Sequence, residues 1–136
     1  MFKFIEKYKV KALYVPFAIY WMILFTLTTL PGKDLPKVGW SDKISHFTAY
    51  CVLAVFLNIF LLVQNKKKLI KEKAWMFTLL FGATYAMLDE FHQLVIPGRS
   101  CDIKDWIADV IGISLGLIVV KILMIFDKYK PNLADK

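Results

Sequence analysis

Long apolar stretches, separated by short polar segments, organise the chain and predict its helices. A bilayer core of about 30 Å needs roughly 20 apolar residues in a helix. Residues 12–32 carry no charge, and neither do residues 47–65. A third stretch begins at residue 74 and a fourth at about residue 105. The pattern therefore predicts four membrane spans at about 12–32, 45–65, 74–94 and 105–126.

The last two predicted spans contain ionisable residues, unlike the first. Asp89 and Glu90 lie near the end of the third span, and Asp109 and Lys121 lie in the fourth. Linkers are short and no internal repeat is visible, so residues 1–136 are read as one domain. The predicted fold class is all-α, an integral membrane four-helix bundle. A cleaved signal peptide is the alternative for the first span, but the apolar run is long and no small-x-small cleavage site follows it.

Composition supports a chain in contact with lipid. Hydrophobic residues make up 58% of the chain and the mean hydropathy is +0.53, whereas soluble domains average about 45–50% apolar residues. The net charge of +7 would suggest nucleic acid in a soluble protein. Here the charges flank apolar runs, so the bilayer is the expected partner and nucleic acid is not. Cys51 and Cys101 are read as free thiols, with a bridge between them as the alternative.

The distribution of Lys and Arg predicts an orientation. Twelve lie before the first span, between the second and third, or after the fourth, whereas five lie in the other two loops. Because basic loops stay on the cytoplasmic side, both termini are predicted to be cytoplasmic. The loops at 33–44 and 95–104 are then external.

Polar residues of several kinds gather at the predicted external side. Asp42 and His46 are four residues apart, and Glu90 and Gln93 three apart, so each pair shares a helix face. Intramembrane acids are expensive and are expected to face a bundle interior and to find partners. The candidate ligand-binding residues are Asp42, His46, Glu90, Gln93, Arg99, Asp105 and Asp109.

Most of these polar residues also have a structural interpretation. Asp102 and Asp105 could be acids favoured at a helix N-terminus. Asp89, Glu90 and Asp109 could form salt bridges with Arg99. Lys43 and Lys104 are the alternative cations for these acids. His46 could be an ordinary interfacial histidine, or one ligand of a divalent cation held by the carboxylates. No catalytic residue is assigned, since neither H-E-x-x-H nor G-x-S-x-G is present.

Two blocks of spaced polar residues resemble the VanZ-like membrane protein family. The first block, D-K-x-x-H-F-x-x-Y-x-x-L, begins at Asp42. The second contains D-E-x-x-Q from Asp89, P-G-R ending at Arg99, and D-x-x-x-D-x-x-G from Asp105. The family usually has Asn where this chain has Asp109. The resemblance implies a small multi-helix domain in the bacterial cytoplasmic membrane. The family's namesake is associated with low-level resistance to the glycopeptide teicoplanin, which implies a cell-envelope role but no particular reaction.

Three functions are consistent with these residues. The first is binding or handling of an anionic lipid, a lipid-linked cell-wall precursor or a glycopeptide-type ligand, with Arg99 as the phosphate-binding group. The second is a non-catalytic structural or accessory subunit whose polar cluster orients the helices. The third is a metal-assisted hydrolase or transferase that acts on a lipid-linked phosphate.

Overall fold

The structure is a computed structural model that describes residues 1–34 and 41–128. Within them the chain is helical and contains no strand. The α-helices are α1 (Phe2–Lys7), α2 (Val15–Thr29), α3 (Asp42–Val63), α4 (Lys68–Glu72), α5 (Ala74–Gln93) and α6 (Ile103–Phe126). A π-helical turn, Val10–Tyr14, leads into α2, and a 3-10 turn, Gly32–Asp34, follows it. The all-α prediction is confirmed.

Three helices in the described part of the chain are long and apolar enough to cross a membrane. They are Val10–Thr29, Asp42–Val63 and Ile103–Phe126, at the places of the predicted spans 12–32, 45–65 and 105–126. Helix α5 forms where the span 74–94 is predicted, but its crossing of the membrane remains a prediction. The described residues do not include part of the loop 33–44, with Lys37, or the end of the chain, with Lys130 and Lys136.

Local signals explain where the helices begin and end. Ser41 caps α3, since its hydroxyl accepts a hydrogen bond from the Ile44 N–H at 3.4 Å. Leu30 leaves the helical region with ψ of 138°, as the residue before Pro31 is sterically driven to do. Gly98 has φ of +74°, which suits a glycine in the turn between α5 and α6.

Two glycines allow α3 and α6 to pack with their backbones in close contact. A Cβ atom on Gly112 would collide with the carbonyl oxygen of Phe47, and one on Gly116 with that of Cys51. This is the small-xxx-small packing that membrane helices use, because van der Waals contact replaces the hydrophobic effect there. Helix α5 packs beside this pair, with Gly82 against Ile113.

Helix α2 lies against this core mainly through aromatic side chains. The rings of Phe17 and Phe56 stack with centroids 5.9 Å apart, and the Tyr20 hydroxyl donates to the Ala49 carbonyl at 2.7 Å. Its other face leaves large apolar side chains such as Met22 exposed. Contact with lipid would keep this apolar face out of water and so avoid the free-energy cost of its hydration.

The folded molecule has two distinct ends along the direction of its long helices. At one, which we call the acidic end, α3 and α6 begin, α5 finishes, and the Gly32 N–H donates to the Pro97 carbonyl at 3.1 Å. At the opposite end, Asp127 accepts hydrogen bonds from the Met1 amino group at 2.7 Å and the Phe2 N–H at 2.9 Å. The predicted external loops therefore share one end. Which end faces the cytoplasm stays a prediction.

Candidate functional site

His46 and Asp109 form the centre of a polar cluster buried at the acidic end. The Nδ1 atom of His46 lies 3.1 Å from Asp109 Oδ1 and 3.9 Å from Glu90 Oε1. Helices α3, α5 and α6 each supply one of these side chains, and Asp109 is completely buried. The glycine contact between α3 and α6 lies one turn further along α6 from Asp109, so the packing that brings these backbones together also brings the side chains together.

The two carboxylate oxygens of Asp109 have different surroundings. Oδ1 contacts His46, but Oδ2 is buried and has no hydrogen-bond donor among the described residues. A buried polar atom without a partner typically costs about 1–3 kcal/mol. A bound cation or a water molecule would remove that cost, and a proton on this carboxyl group would reduce it by removing the charge.

Glu90 connects the end of α5 to the beginning of α6. Its Oε2 atom accepts a hydrogen bond from the Asp102 backbone N–H at 2.9 Å, and its Oε1 lies 3.5 Å from Gln93 Nε2. Both side chains are buried. The predicted proximity of Glu90 and Gln93 on one helix face is therefore present in the structure.

Lys43, not Arg99, is the cation that neutralises the acids at the start of α6. Its ammonium group lies 3.1 Å from Asp102 Oδ2 and 2.8 Å from Asp105 Oδ1. Asp102 also caps α6 by accepting the Lys104 N–H at 2.9 Å. This backbone hydrogen bond, and then the bond from Lys43, lower the pKa of Asp102 below its usual value. Asp102 thus has the helix-terminal role that the sequence suggested as an alternative.

Arg99 forms no ion pair with any acid in residues 1–34 or 41–128. The salt bridges considered between Arg99 and Asp89, Glu90 or Asp109 are therefore not formed in the structure. Its Nε atom is buried and has no described hydrogen-bond partner. Arg99 is thus a cation beside the cluster whose guanidinium group has N–H donors available for a ligand.

Sequence reasoning left Tyr50 out of the site, although the structure places it there. Its hydroxyl donates to Asp89 Oδ2 at 3.1 Å, and both side chains are buried. The available signal was spacing, since Tyr50 lies four residues after His46 and so shares its helix face. The Asp89 carboxylate could not be assigned to Tyr50 without the relative rotation of α3 and α5.

A cavity of about 210 Å³ opens beside the cluster. Its lining residues are Leu24, Leu27, Thr28, Asp42, Ser45, His46, Ala49, Tyr50, Asp89 and Arg99. Three of the predicted ligand-binding residues, Asp42, His46 and Arg99, therefore line one cavity. The other four are buried beside it: Glu90, Gln93, Asp105 and Asp109.

Two groups of side chains have the composition and spacing of a metal site. His46, Glu90 and Asp109 offer ligand atoms that all lie within 4.8 Å of one another, as do Asp42, His46 and Asp105. One imidazole with two carboxylates suits divalent ions such as Zn²⁺ or Mn²⁺. The first group is entirely buried, whereas Asp42 in the second is exposed. The unpartnered oxygen of Asp109 favours the first group.

Apolar helices long enough to cross a bilayer, together with a buried His–carboxylate cluster at one end, define a helical membrane protein with a polar site. The VanZ/LLP1 family model matches residues 2–124, essentially the whole described chain. The chain belongs to this family, as its spaced polar motifs predict. No curated protein and no solved structure matches it.

Proposed function

We propose that the protein binds the phosphate-bearing headgroup of an anionic lipid or lipid-linked cell-wall precursor at the external face of the bacterial cytoplasmic membrane. The observation that carries the proposal is Arg99. It lines the cavity at the acidic end and pairs with no acid in the described part of the chain. A planar guanidinium group matches two phosphate oxygens at once.

The charges around Arg99 support this role. Lys43 is within ion-pair distance of Asp102 and Asp105, so these two acids do not compete for the guanidinium group. Asp89 accepts a hydrogen bond from Tyr50 instead. Asp42 also lines the cavity and would repel an anion. A divalent cation held by Asp42, His46 and Asp105 would reverse that repulsion and bridge to phosphate oxygens.

The walls of the cavity favour an amphiphile over a free anion. Leu24 and Leu27 of α2 and Ala49 of α3 line it together with the polar residues. Neighbouring side chains of α2 are exposed and apolar, Ile23 and Phe25 among them. A lipid could therefore place its headgroup against Arg99 and leave its chain along α2 in the bilayer.

Replacement of Arg99 by Gln tests the proposal. We expect Arg99→Gln to weaken binding of farnesyl phosphate by about tenfold or more, since a hydrogen bond to a charged group is worth roughly 1.5–3 kcal/mol. Binding of farnesol, which has the same chain without phosphate, should not change. Both are measured by native mass spectrometry of the purified protein in detergent.

Lys104→Gln is the matched control, because it removes the same charge from the same end of the molecule. It should leave both ligands unaffected. If Arg99→Gln and Lys104→Gln have equal effects, the attraction is nonspecific and the proposal fails. Unchanged binding of both ligands in Arg99→Gln would instead favour an accessory role in which the cluster only orients the helices.

A metal-assisted hydrolase or transferase is the second candidate, favoured by the convergence of His46, Glu90 and Asp109. These side chains could hold a divalent ion that activates water near a lipid-linked phosphate. The test is phosphate release from farnesyl pyrophosphate with Mg²⁺, Mn²⁺ or Zn²⁺. Turnover that is lost in Glu90→Gln would support this candidate, and no turnover with any of the three ions would count against it.

A further inference from the structure

A second, larger cavity of about 600 Å³ lies at the end of the molecule opposite the acidic end. It is formed between the end of α3, the beginning of α5 and the last turns of α6. Its lining residues are Asn58, Leu62, Lys71, Glu72, Ala74, Trp75, Leu117, Ile118, Lys121 and Met124. None of them belongs to the cluster around His46, so this cavity is separate from the proposed headgroup site.

The cavity combines a basic rim with apolar walls. Lys121 precedes the end of α6 at Phe126 by five residues, which is about 7.5 Å along the helix. Leu117 and Ile118 lie one turn deeper along α6. Trp75, in the first turn of α5, is 60% exposed, as is typical of tryptophan at a membrane interface. The cavity therefore extends from headgroup depth into the region of the acyl chains.

The charges at the rim favour an anion. Lys121 is a cation within a helix able to span the membrane, and it forms no ion pair with an acid among the described residues. Lys71 also lines the cavity, and its side chain is buried. Glu72 is the acid of the lining, and the adjoining segment adds four lysines, Lys66, Lys67, Lys68 and Lys73. Basic residues at this depth attract anionic lipids.

We infer that this cavity binds an anionic phospholipid, with the phosphate beside Lys121 and an acyl chain along Leu117 and Ile118. The volume decides between a lipid and a free anion. A cavity of about 600 Å³ falls within the roughly 300–1,000 Å³ of small-molecule sites, so a phosphate ion alone would leave most of it empty. Its apolar walls would then remain without contacts.

The test compares phosphatidylglycerol with phosphatidylcholine in native mass spectra of the delipidated protein in detergent. Arg99→Gln serves as the background, so that binding at the acidic end contributes less. Lys71→Gln with Lys121→Gln should reduce phosphatidylglycerol adducts by at least about fivefold, because each lysine near anionic lipid contributes roughly that factor. Phosphatidylcholine adducts should not change.

Lys66→Gln with Lys67→Gln is the matched control, since it removes two charges from the neighbouring segment outside the cavity. It should retain phosphatidylglycerol binding. An equal loss in the control would show general charge attraction and overturn the inference. So would unchanged binding in the Lys71 and Lys121 double variant, or full competition by millimolar glycerol phosphate.

Lys71 is 5% exposed, so its replacement could impair folding. Lys121→Gln alone, at an exposed position, is therefore the second variant, with the helical circular dichroism signal as the folding check. A folded Lys121→Gln protein should still lose phosphatidylglycerol adducts several-fold. No loss in this folded variant would overturn the inference independently of the double variant.

Discussion

The hydroxyl of Tyr50 reaches from α3 to Asp89 on α5 inside the molecule. Tyr50 is 1% exposed and Asp89 is 5% exposed, so this hydrogen bond is largely shielded from bulk solvent. Tyr50→Phe should therefore lower the free energy of unfolding by about 1–3 kcal/mol, the usual cost of a buried acceptor that loses its donor. Thermal unfolding of the purified protein in detergent measures the change.

Tyr14→Phe is the control for this prediction. The Tyr14 ring packs on Phe60 with centroids 5.1 Å apart, and its hydroxyl has no hydrogen-bond partner in the described residues. Loss of that hydroxyl should change stability by less than about 0.5 kcal/mol. Equal effects of the two substitutions would contradict the role assigned to the Tyr50 hydroxyl.

The ion pair between Asp102 and Lys43 predicts a dependence of stability on pH. The backbone hydrogen bond from Lys104 and the Lys43 ammonium group lower the pKa of Asp102 in the folded protein. Because the pKa of Asp102 is lower in the folded protein than in the unfolded chain, the ion pair stabilises the fold at pH values above the unfolded-chain pKa of about 3.9. This stabilisation is lost as the pH falls through the pKa of the folded protein. Asp102→Asn retains a helix-capping oxygen but removes the charge.

Wild type should therefore unfold at a higher temperature than Asp102→Asn at pH 7, and the difference should begin to shrink as the pH falls below about 4 and vanish below the lowered pKa of the folded protein. Asp34→Asn is the control, since Asp34 is exposed and forms no ion pair within the described chain. A wild-type advantage over Asp102→Asn that persists at low pH would exclude the charge as its cause.

At the scale of elements, the contact between α3 and α6 positions the site. Gly112 lies three residues after Asp109, and a Cβ there would meet the rigid backbone of Phe47. Gly112→Ala should force the helices apart and lower stability by about 1–3 kcal/mol, as overpacking generally does. The same displacement would lengthen the contact between His46 and Asp109.

Gly82→Ala provides a comparison at the contact between α5 and α6. A Cβ on Gly82 would meet the end of the Ile113 side chain, which can change its rotamer. The better helix propensity of alanine, worth up to about 1 kcal/mol, offsets that adjustment. Thermal unfolding should therefore rank Gly112→Ala well below Gly82→Ala, and equal midpoints would show that the α3–α6 backbone contact is not critical.

Helix positions follow closely from the sequence, whereas helix contacts do not. The predicted span 105–126 differs from α6 (Ile103–Phe126) by two residues at its start, because apolar length and the Asp102 cap are local signals. The small residues Gly112 and Gly116 were also visible in the sequence. That they face α3, and not α5 or lipid, depends on helix rotation, which short-range patterns do not specify.

At the scale of the whole molecule, orientation in the membrane is the main prediction. Cys101 is exposed at the acidic end, whereas Cys51 is only partly accessible. With Cys51→Ser in place, a membrane-impermeant maleimide should label Cys101 in intact cells, because the loop 95–104 is predicted to be external. The labelled fraction is read from the mass shift of the purified protein.

Lys67→Cys, in a chain with Cys51→Ser and Cys101→Ser, reports on the other side of the membrane. It should be labelled only after the cells are permeabilised, since the lysine-rich segment before α4 is predicted to be cytoplasmic. Labelling of Lys67→Cys but not Cys101 in intact cells would reverse the orientation. The proposed headgroup site would then face the cytoplasm.

The sequence by itself determined that the chain is helical, where its apolar helices lie, and which polar residues gather at one end. These properties follow from local hydropathy and spacing, since a backbone in lipid must satisfy its own hydrogen bonds as helix. Only the tertiary structure decided the pairings. Lys43 pairs with Asp102 and Asp105, Tyr50 pairs with Asp89, and Arg99 has no acidic partner within residues 1–34 and 41–128. Those pairings depend on the rotation and separation of packed helices, to which residues far apart in the chain contribute jointly.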